Sequence, residues 1–416
     1  MTQYRWLIVA IGFFAIIINY LDRTALSYAI TPLEQTFGLT NADFGIIASA
    51  FGMGYLAMTL LGGILVDHYG ARKVWFFSVI IWSGACALLG FATGFAWFFI
   101  FRLILGLAEG PNFPALMRVD ADWLPVSERA TALAIGLAAV PFASVLGAPL
   151  ISHLIDVVGW RLMFVTLASF GFIWAFIWLK IFHDKPAESK HVSKEELNHI
   201  QKNLDFIAEK GHSLQQQKLT WRFMLFNNAL MVNNYAFFVF GYLVFFAINW
   251  LPGYLEQVYG VKIKEAGWFL VAPWLLSTVL VLSGGVISDY VWRRTHSLRQ
   301  SRSHLIWICQ ALSAICFIPI IFHPTLTMAI ISISFGLGFG MMPNAAFYAI
   351  NADLARKRVG TSLGIMDSLF ALAGILAPLL TGILSTVTGN FVAAFSLLII
   401  LTFTSVIAII LWQHAD

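Results

Sequence analysis

"GGILVDHYGARK" occupies residues 62–73, and the same pattern returns as "GGVISDYVWRR" at 284–294. Each copy opens on two glycines, places an aspartate after an apolar run and closes on adjacent basic residues. The segments around them repeat as well. "PNFPALMRVDAD" (111–122) is echoed by "PNAAFYAINAD" (343–353), and "GAPLISHLIDVVG" (147–159) by "LAPLLTGILSTVTG" (376–389). The offsets cluster near 220–232 residues, so the chain reads as two related halves joined end to end.

The composition says where those halves live. Of 416 residues, 59% are hydrophobic and only 11% charged, with a mean hydropathy of +0.81. That leaves too few charges to keep a surface of this size in water. The apolar runs are continuous and about 20 residues long, the length of a membrane helix rather than of a barrel strand. Breakers divide them into twelve spans, at 5–31, 43–66, 73–93, 96–122, 128–156, 160–182, 223–253, 265–290, 303–322, 325–353, 358–386 and 389–412. The expected fold is therefore an all-α membrane protein of twelve transmembrane helices, with two six-helix pseudo-repeats around a central cavity. Residues 1–182 form the first half, 183–222 a polar cytoplasmic linker and 223–416 the second half. The opening residues "MTQYRWLIVA" lack a small-residue cleavage site and read as an uncleaved first span that doubles as the insertion signal.

Charge placement sets the orientation. By direct count 20 of the 25 Lys and Arg side chains fall on one side if both termini and the linker are cytoplasmic, among them Arg72, Lys73, Arg293 and Arg356–Arg358. The net charge of +4 gives no reason to expect a nucleic-acid partner. Cys86, Cys309 and Cys316 lie in apolar runs without metal-ligating neighbours and read as small core residues.

Five ionisable residues sit deep inside spans: Asp22, Arg23, Arg102, Glu109 and Asp367. Uncompensated, they would together cost on the order of 12–17 kcal/mol, so they must face a wet cavity or pair with one another. Asp22 and Arg23 are adjacent and point about 100° apart, which rules out simple mutual neutralisation. Asn19 and Arg23 share a helix face. Arg102 and Glu109 lie on one face of the fourth span, about 10 Å apart. Asn344, Tyr348 and Asn351 form a polar stripe on the tenth span, and Tyr55, Asn233 and Asn234 are isolated polar positions. Each has a structural alternative: an ion pair fixing helix register for Arg102, a group that only orients Arg23 for Asp22, interhelical hydrogen bonding for the stripe. In the loop motifs Gly63 and Gly285 are expected to permit close helix approach. Asp67 and Asp289 are expected to cap helix N-termini, and Gly70, Arg72, Lys73 and Arg293 to complete the motif at the headgroups.

"YLDR" (20–23), "FRLILGLAEGPNFPA" (101–115), "WLPVSERA" (123–130) and the Gly-x-x-x-Asp loop together resemble the anion:cation symporter family of the major facilitator superfamily. That family includes bacterial sugar-acid and hexuronate transporters and animal vesicular glutamate and sialic-acid carriers. The resemblance implies that Arg23 meets a substrate carboxylate and that Glu109 is the proton-coupling acid. Asp22 and Arg102 would shape the site, with Tyr55 on the cavity wall. Two positions depart from the sugar-acid pattern: Val140 stands where a glutamine is expected, and Asp367 where an asparagine is expected. Both weaken a polyhydroxylated substrate, and Asp367 invites a proton or a positive group.

The function expected is a proton-coupled symporter that imports a small organic anion, a carboxylate, by alternating access. It is a monomer of the bacterial inner membrane, with no cofactor, metal or enzymatic activity. The alternatives are a proton-coupled carrier of a cationic or zwitterionic solute using Asp367, and a non-transporting sensor on the same fold.

Overall fold

The computed structural model describes residues 3–200, 226–355 and 359–413. The later part of the expected linker and the basic run Arg356–Arg358 lie outside them. The elements are helices: α1 (Tyr4–Tyr28), α2 (Ile30–Phe37), α3 (Asn41–Tyr69), α4 (Ala71–Leu89), α5 (Phe95–Glu109), α6 (Asn112–Trp123) and α7 (Val126–Ile181) in the first half. The second half holds α8 (Asn228–Tyr259), α9 (Ile263–Thr295), α10 (His304–Phe317), α11 (Leu326–Met341), α12 (Asn344–Ala355), α13 (Val359–Thr388) and α14 (Val392–Trp412). Helix α7 doubles back at Gly159, whose φ of 78° a side chain would resist, and so supplies two spans. α5 with α6, and α11 with α12, each make one broken span. The result is the expected twelve-span bundle of two six-span halves.

The two broken spans carry the repeated Pro-Asn motif. Pro111 and Pro343 cannot donate to the ladder, so each helix stops and restarts at the following asparagine. The repeat extends to packing. A side chain on Gly62 would strike Pro111, and one on Gly284 would strike Met342. Gly63 and Gly285, expected to bring helices together, have open space or only one atom at 4.0 Å around them. The close approach is made one residue earlier in each half.

Several span limits move. The seventh span runs through Pro252 to Tyr259 rather than ending at Gly253, and the first stops at Tyr28 and restarts as α2. Thr40 then opens α3 with a reciprocal capping box to Asp43.

The start of α1 and the end of α14 lie at one end of the bundle, here the terminal end. Glu196 accepts from the backbone of Tyr4 and Arg5, while Arg5 also holds Glu128 at 2.7 Å. The side chain of Gln413 reaches Asn233 at the start of α8. At the opposite, far end the halves are clamped together. A Cβ on Gly52 would lie 2.6 Å from the carbonyl carbon of Gly374, and one on Gly45 would lie 2.6 Å from the carbonyl oxygen of Pro378, so α3 and α13 touch backbone to backbone. Polar bonds cross the same seam: Thr31 to Glu256 at 2.8 Å, Asn41 to Gln257 at 3.0 Å, Lys264 to Asp156 at 3.1 Å and the backbone of Ala42 to Thr386 at 2.9 Å. The far end is closed.

A side chain larger than hydrogen at Gly52 must therefore hold the seam apart. Gly52→Leu is expected to lengthen the distance between spin labels on the far tips of α3 and α13, measured by pulsed electron resonance. An unchanged distance distribution would contradict this packing.

Candidate functional site

Where α3 and α13 splay apart towards the terminal end, a cavity of about 1340 Å³ opens between the halves. Tyr20 of α1, Tyr55 and Thr59 of α3 and Val140 of α7 form one side; Asn234 of α8, Asn344 and Tyr348 of α12 and Asp367 of α13 form the other. Asp367 is the one charged side chain on this wall among the described residues, and the Tyr348 hydroxyl donates to it at 3.3 Å.

Arg23 sits immediately behind the wall. It is 2% exposed, and its Nε donates to Oε2 of the fully buried Glu109 at 2.6 Å. The guanidinium carbon lies 4.6 Å from the ring centres of Tyr20 and Tyr55 and 4.9 Å from that of Phe51. Two of these three rings are cavity residues. The remaining two guanidinium nitrogens and Oε1 of Glu109 have no hydrogen-bond partner among the described residues. Asn19 adjoins the Glu109 carboxylate from the next turn of α1, as its spacing from Arg23 implies. The local reason for this geometry is the break after Glu109. α5 ends there, and Gly106 and Gly110 are pressed against the backbone of α3 around Phe51 and Met58. Only glycine allows the last turn of α5 to lie that close and to aim Glu109 across at α1.

Asp22 and Arg102 lie elsewhere. Asp22 points into the first half, where the Cys86 thiol donates to it at 3.4 Å. Arg102 is 2% exposed and stacks 5.0 Å from the centre of Phe51, on the side of the ring cluster away from the wall. Neither lines the cavity. Cys86 carried no sequence signal for this role, since one cysteine in an apolar run looks like any small core residue.

The polar stripe of the tenth span divides. Asn344 and Tyr348 line the cavity, but Asn351 is tied into a buried amide knot. It accepts from Asn233 at 3.0 Å and donates to Asn234 at 3.0 Å, and Asn233 in turn donates to the Phe347 carbonyl at 2.9 Å. Asn234 thus borders the cavity while its amide oxygen is already engaged.

Residues 12–299 match the family described as Major Facilitator Superfamily. The chain belongs to that superfamily. It is 32% identical over 404 residues to the probable galactarate/D-glucarate transporter of Escherichia coli, covering 94% of this chain and 89% of the relative. It is 29% identical over 388 residues to the hexuronate transporter of Bacillus subtilis, with 92% and 89% covered. Both are sugar-acid carriers of the kind the Tyr-x-Asp-Arg and fourth-span motifs resemble. The D-xylose-proton symporter structure superposes with a TM-score of 0.76 at 15% identity, covering 100% of both chains, so the two chains share a fold.

The superfamily loop motifs hold the terminal end together differently from expectation. Asp67 pairs with Arg118, which also holds Asp122, and Asp289 pairs with Arg302. Among the described residues neither aspartate caps a helix. The N-terminus of α4 is capped by Asp184, which accepts from the backbone of Arg72 at 2.9 Å and fills the space beside Gly70, whose φ is +84°. Arg72 donates its side chain to the carbonyl of Leu179, while Lys73 and Arg293 are exposed.

The amide knot yields a test of which stripe residues are structural. Asn351→Ala is expected to lower thermal stability by about 1–3 kcal/mol, because it takes away the donor to the Asn234 amide oxygen and one of the acceptors of the Asn233 amide. Asn344→Ala should leave the melting temperature within experimental error.

Proposed function

We propose that this protein is a proton-coupled symporter that imports a small organic carboxylate across a bacterial inner membrane. The observation that carries the reading is the buried Arg23–Glu109 pair directly behind Tyr20 and Tyr55. An ionised Glu109 occupies the cation, and a substrate carboxylate has to compete with it. Once protonated, Glu109 releases Arg23, whose free nitrogens then take up the anion at the tyrosine wall. Proton and anion are bound together or not at all. The names of the relatives support an organic acid as cargo.

The transport cycle follows from the seam. The halves 1–182 and 223–416, tethered by residues 183–222, rock about the cavity, so that opening the far-end clamp closes the terminal end. With the Lys and Arg excess cytoplasmic, the cavity seen here faces the cytoplasm, the side on which the proton and the anion are released together. The protein works as a monomer in this scheme, since one chain contains the whole cavity. Asp22 and Arg102 act behind the site, keeping its charge balanced.

A second reading draws on Asp367. It is the single acid on the wall among the described residues, and a cationic or zwitterionic solute would pair with it.

In proteoliposomes, Glu109→Gln is expected to abolish accumulation driven by a pH gradient while retaining substrate exchange. Full gradient-driven accumulation by the variant would overturn the coupling role. Arg23→Ala should remove carboxylate binding, a loss of at least a hundredfold in affinity, whereas Asp367→Asn should not. The reverse pattern would favour the cation or zwitterion reading.

A further inference from the structure

The wall that faces the Arg23 pair is aromatic. Phe237 and Phe240 of α8 lie 5.3 Å apart, and Phe370 of α13 meets them at 5.4 and 6.0 Å. Tyr348 stands edge-on to Phe237 at 5.4 Å. All four border the cavity, and Phe370 presents a half-buried ring to it. Across the space the tyrosines Tyr20 and Tyr55 continue the ring surface, and Val140 adds an aliphatic patch. Such a wall offers a ligand a large apolar ring surface.

The polar atoms on the same wall are mostly committed. Thr59 donates to the Tyr55 carbonyl and Ser368 to the Gly364 carbonyl, both at 2.7 Å and both within their own helices. The Asn234 amide oxygen belongs to the knot. What remains for a ligand includes the hydroxyls of Tyr20 and Tyr55, the Asn234 amide nitrogen, Asn344, whose amide oxygen is buried without a partner among the described residues, and the Asp367–Tyr348 pair. A hexuronate or an aldarate carries a hydroxyl on nearly every carbon. Those that lie against the phenylalanines would be stripped of water with no partner there to replace it. A planar ring loses nothing there and gains stacking.

Resting on the carboxylate reading above, we propose that the substrate is a hydroxylated aromatic carboxylate. Its ring lies against Phe370 and Phe237, its carboxylate faces Tyr20, Tyr55 and Arg23, and its ring hydroxyl donates to Asp367. This gives Asp367 an occupation compatible with an anionic cargo: the acid meets a donor rather than a second negative charge. It also accounts for Val140, an apolar side chain on the wall where a sugar would need a hydrogen-bonding partner.

The experiment is binding to the purified full chain in detergent by isothermal titration at acidic pH. The probes are 4-hydroxybenzoate, cyclohexanecarboxylate, galacturonate and the neutral 4-hydroxybenzyl alcohol. The expected result is that 4-hydroxybenzoate binds at least tenfold more tightly than each of the other three. Phe370→Leu and Phe237→Leu, which keep apolar bulk but remove the ring, should each weaken it threefold to tenfold. Cyclohexanecarboxylate should change by less than twofold in both variants. Galacturonate binding more tightly than 4-hydroxybenzoate, and being lost in Arg23→Ala, would overturn the aromatic class and leave the carboxylate carrier standing. The neutral alcohol binding as well as the acid, with Arg23→Ala without effect, would overturn both. Unaltered 4-hydroxybenzoate affinity in both leucine variants, or no binding of it at millimolar concentration, also overturns the proposal.

Discussion

The buried pair between Arg23 and Glu109 is the constraint around which the first half is built. A cation and an anion removed from water this completely are tolerated only together. Deleting one partner of such a pair typically costs about 3–5 kcal/mol, a large part of a fold's usual margin. Three aromatic rings close around the guanidinium, and each supplies an electron-rich face worth about 0.5–2 kcal/mol in a dry site. Two of these rings, Tyr20 and Tyr55, are also part of the boundary of the cavity. The structural solution to burying an arginine and the surface offered to a ligand are therefore one object, and a change in the protonation of Glu109 is felt at the wall without any long-range relay.

The two halves repeat in backbone and diverge in chemistry. Pro111 and Pro343 break equivalent spans, and Gly62 and Gly284 pack against the residues at those breaks. In the first half the break ends α5 on Glu109, so the charge lies at the helix terminus facing α1. In the second half it begins α12 on Asn344, and the neighbouring positions fill with Tyr348 and Phe347. The buried cations Arg23 and Arg102 thus lie on the first-half side of the cavity, and the phenylalanine cluster of Phe237, Phe240 and Phe370 on the other. A ligand that uses both must carry its charge at one end and its apolar surface at the other.

The sequence was legible where a residue is costly or periodic. Charges inside spans stand out because lipid penalises them, and the internal repeat and the twelve spans follow from glycines, prolines and run lengths alone. Other features depend on neighbours distant in the chain. Cys86 meeting Asp22 is one, and Asp184 rather than Asp67 capping α4 is another. The far-end clamp was hidden for a local reason. Gly253 looked like a stop, yet α8 continues through Pro252 for another turn and carries Glu256 and Gln257 to the seam. A proline already inside a packed helix gives up one hydrogen bond without ending it. The glycines were read one residue late: in each pair the first faces a neighbouring backbone and the second faces open space.

The clamp also bears on how the cavity exchanges sides. Its tightest contacts are glycine backbone against backbone, which add little apolar burial, and its polar bonds are few and near the surface. Lys264 and Asp156 are both about half exposed, so their attraction is screened and worth little. A seam of this kind is stable enough to populate and weak enough to open. The Arg23–Glu109 pair is the opposite: dry, enclosed and costly to disturb. The cycle is best understood as a shallow equilibrium at the seam biased by a steep one at the pair. In the proposed cycle, neutralising Glu109 would change which ligand the wall can hold, and the occupied wall would in turn decide whether α3 and α13 close over the terminal end. Coupling of that kind would need no dedicated gate residue, only a substrate whose charge substitutes for the carboxylate that the proton has silenced.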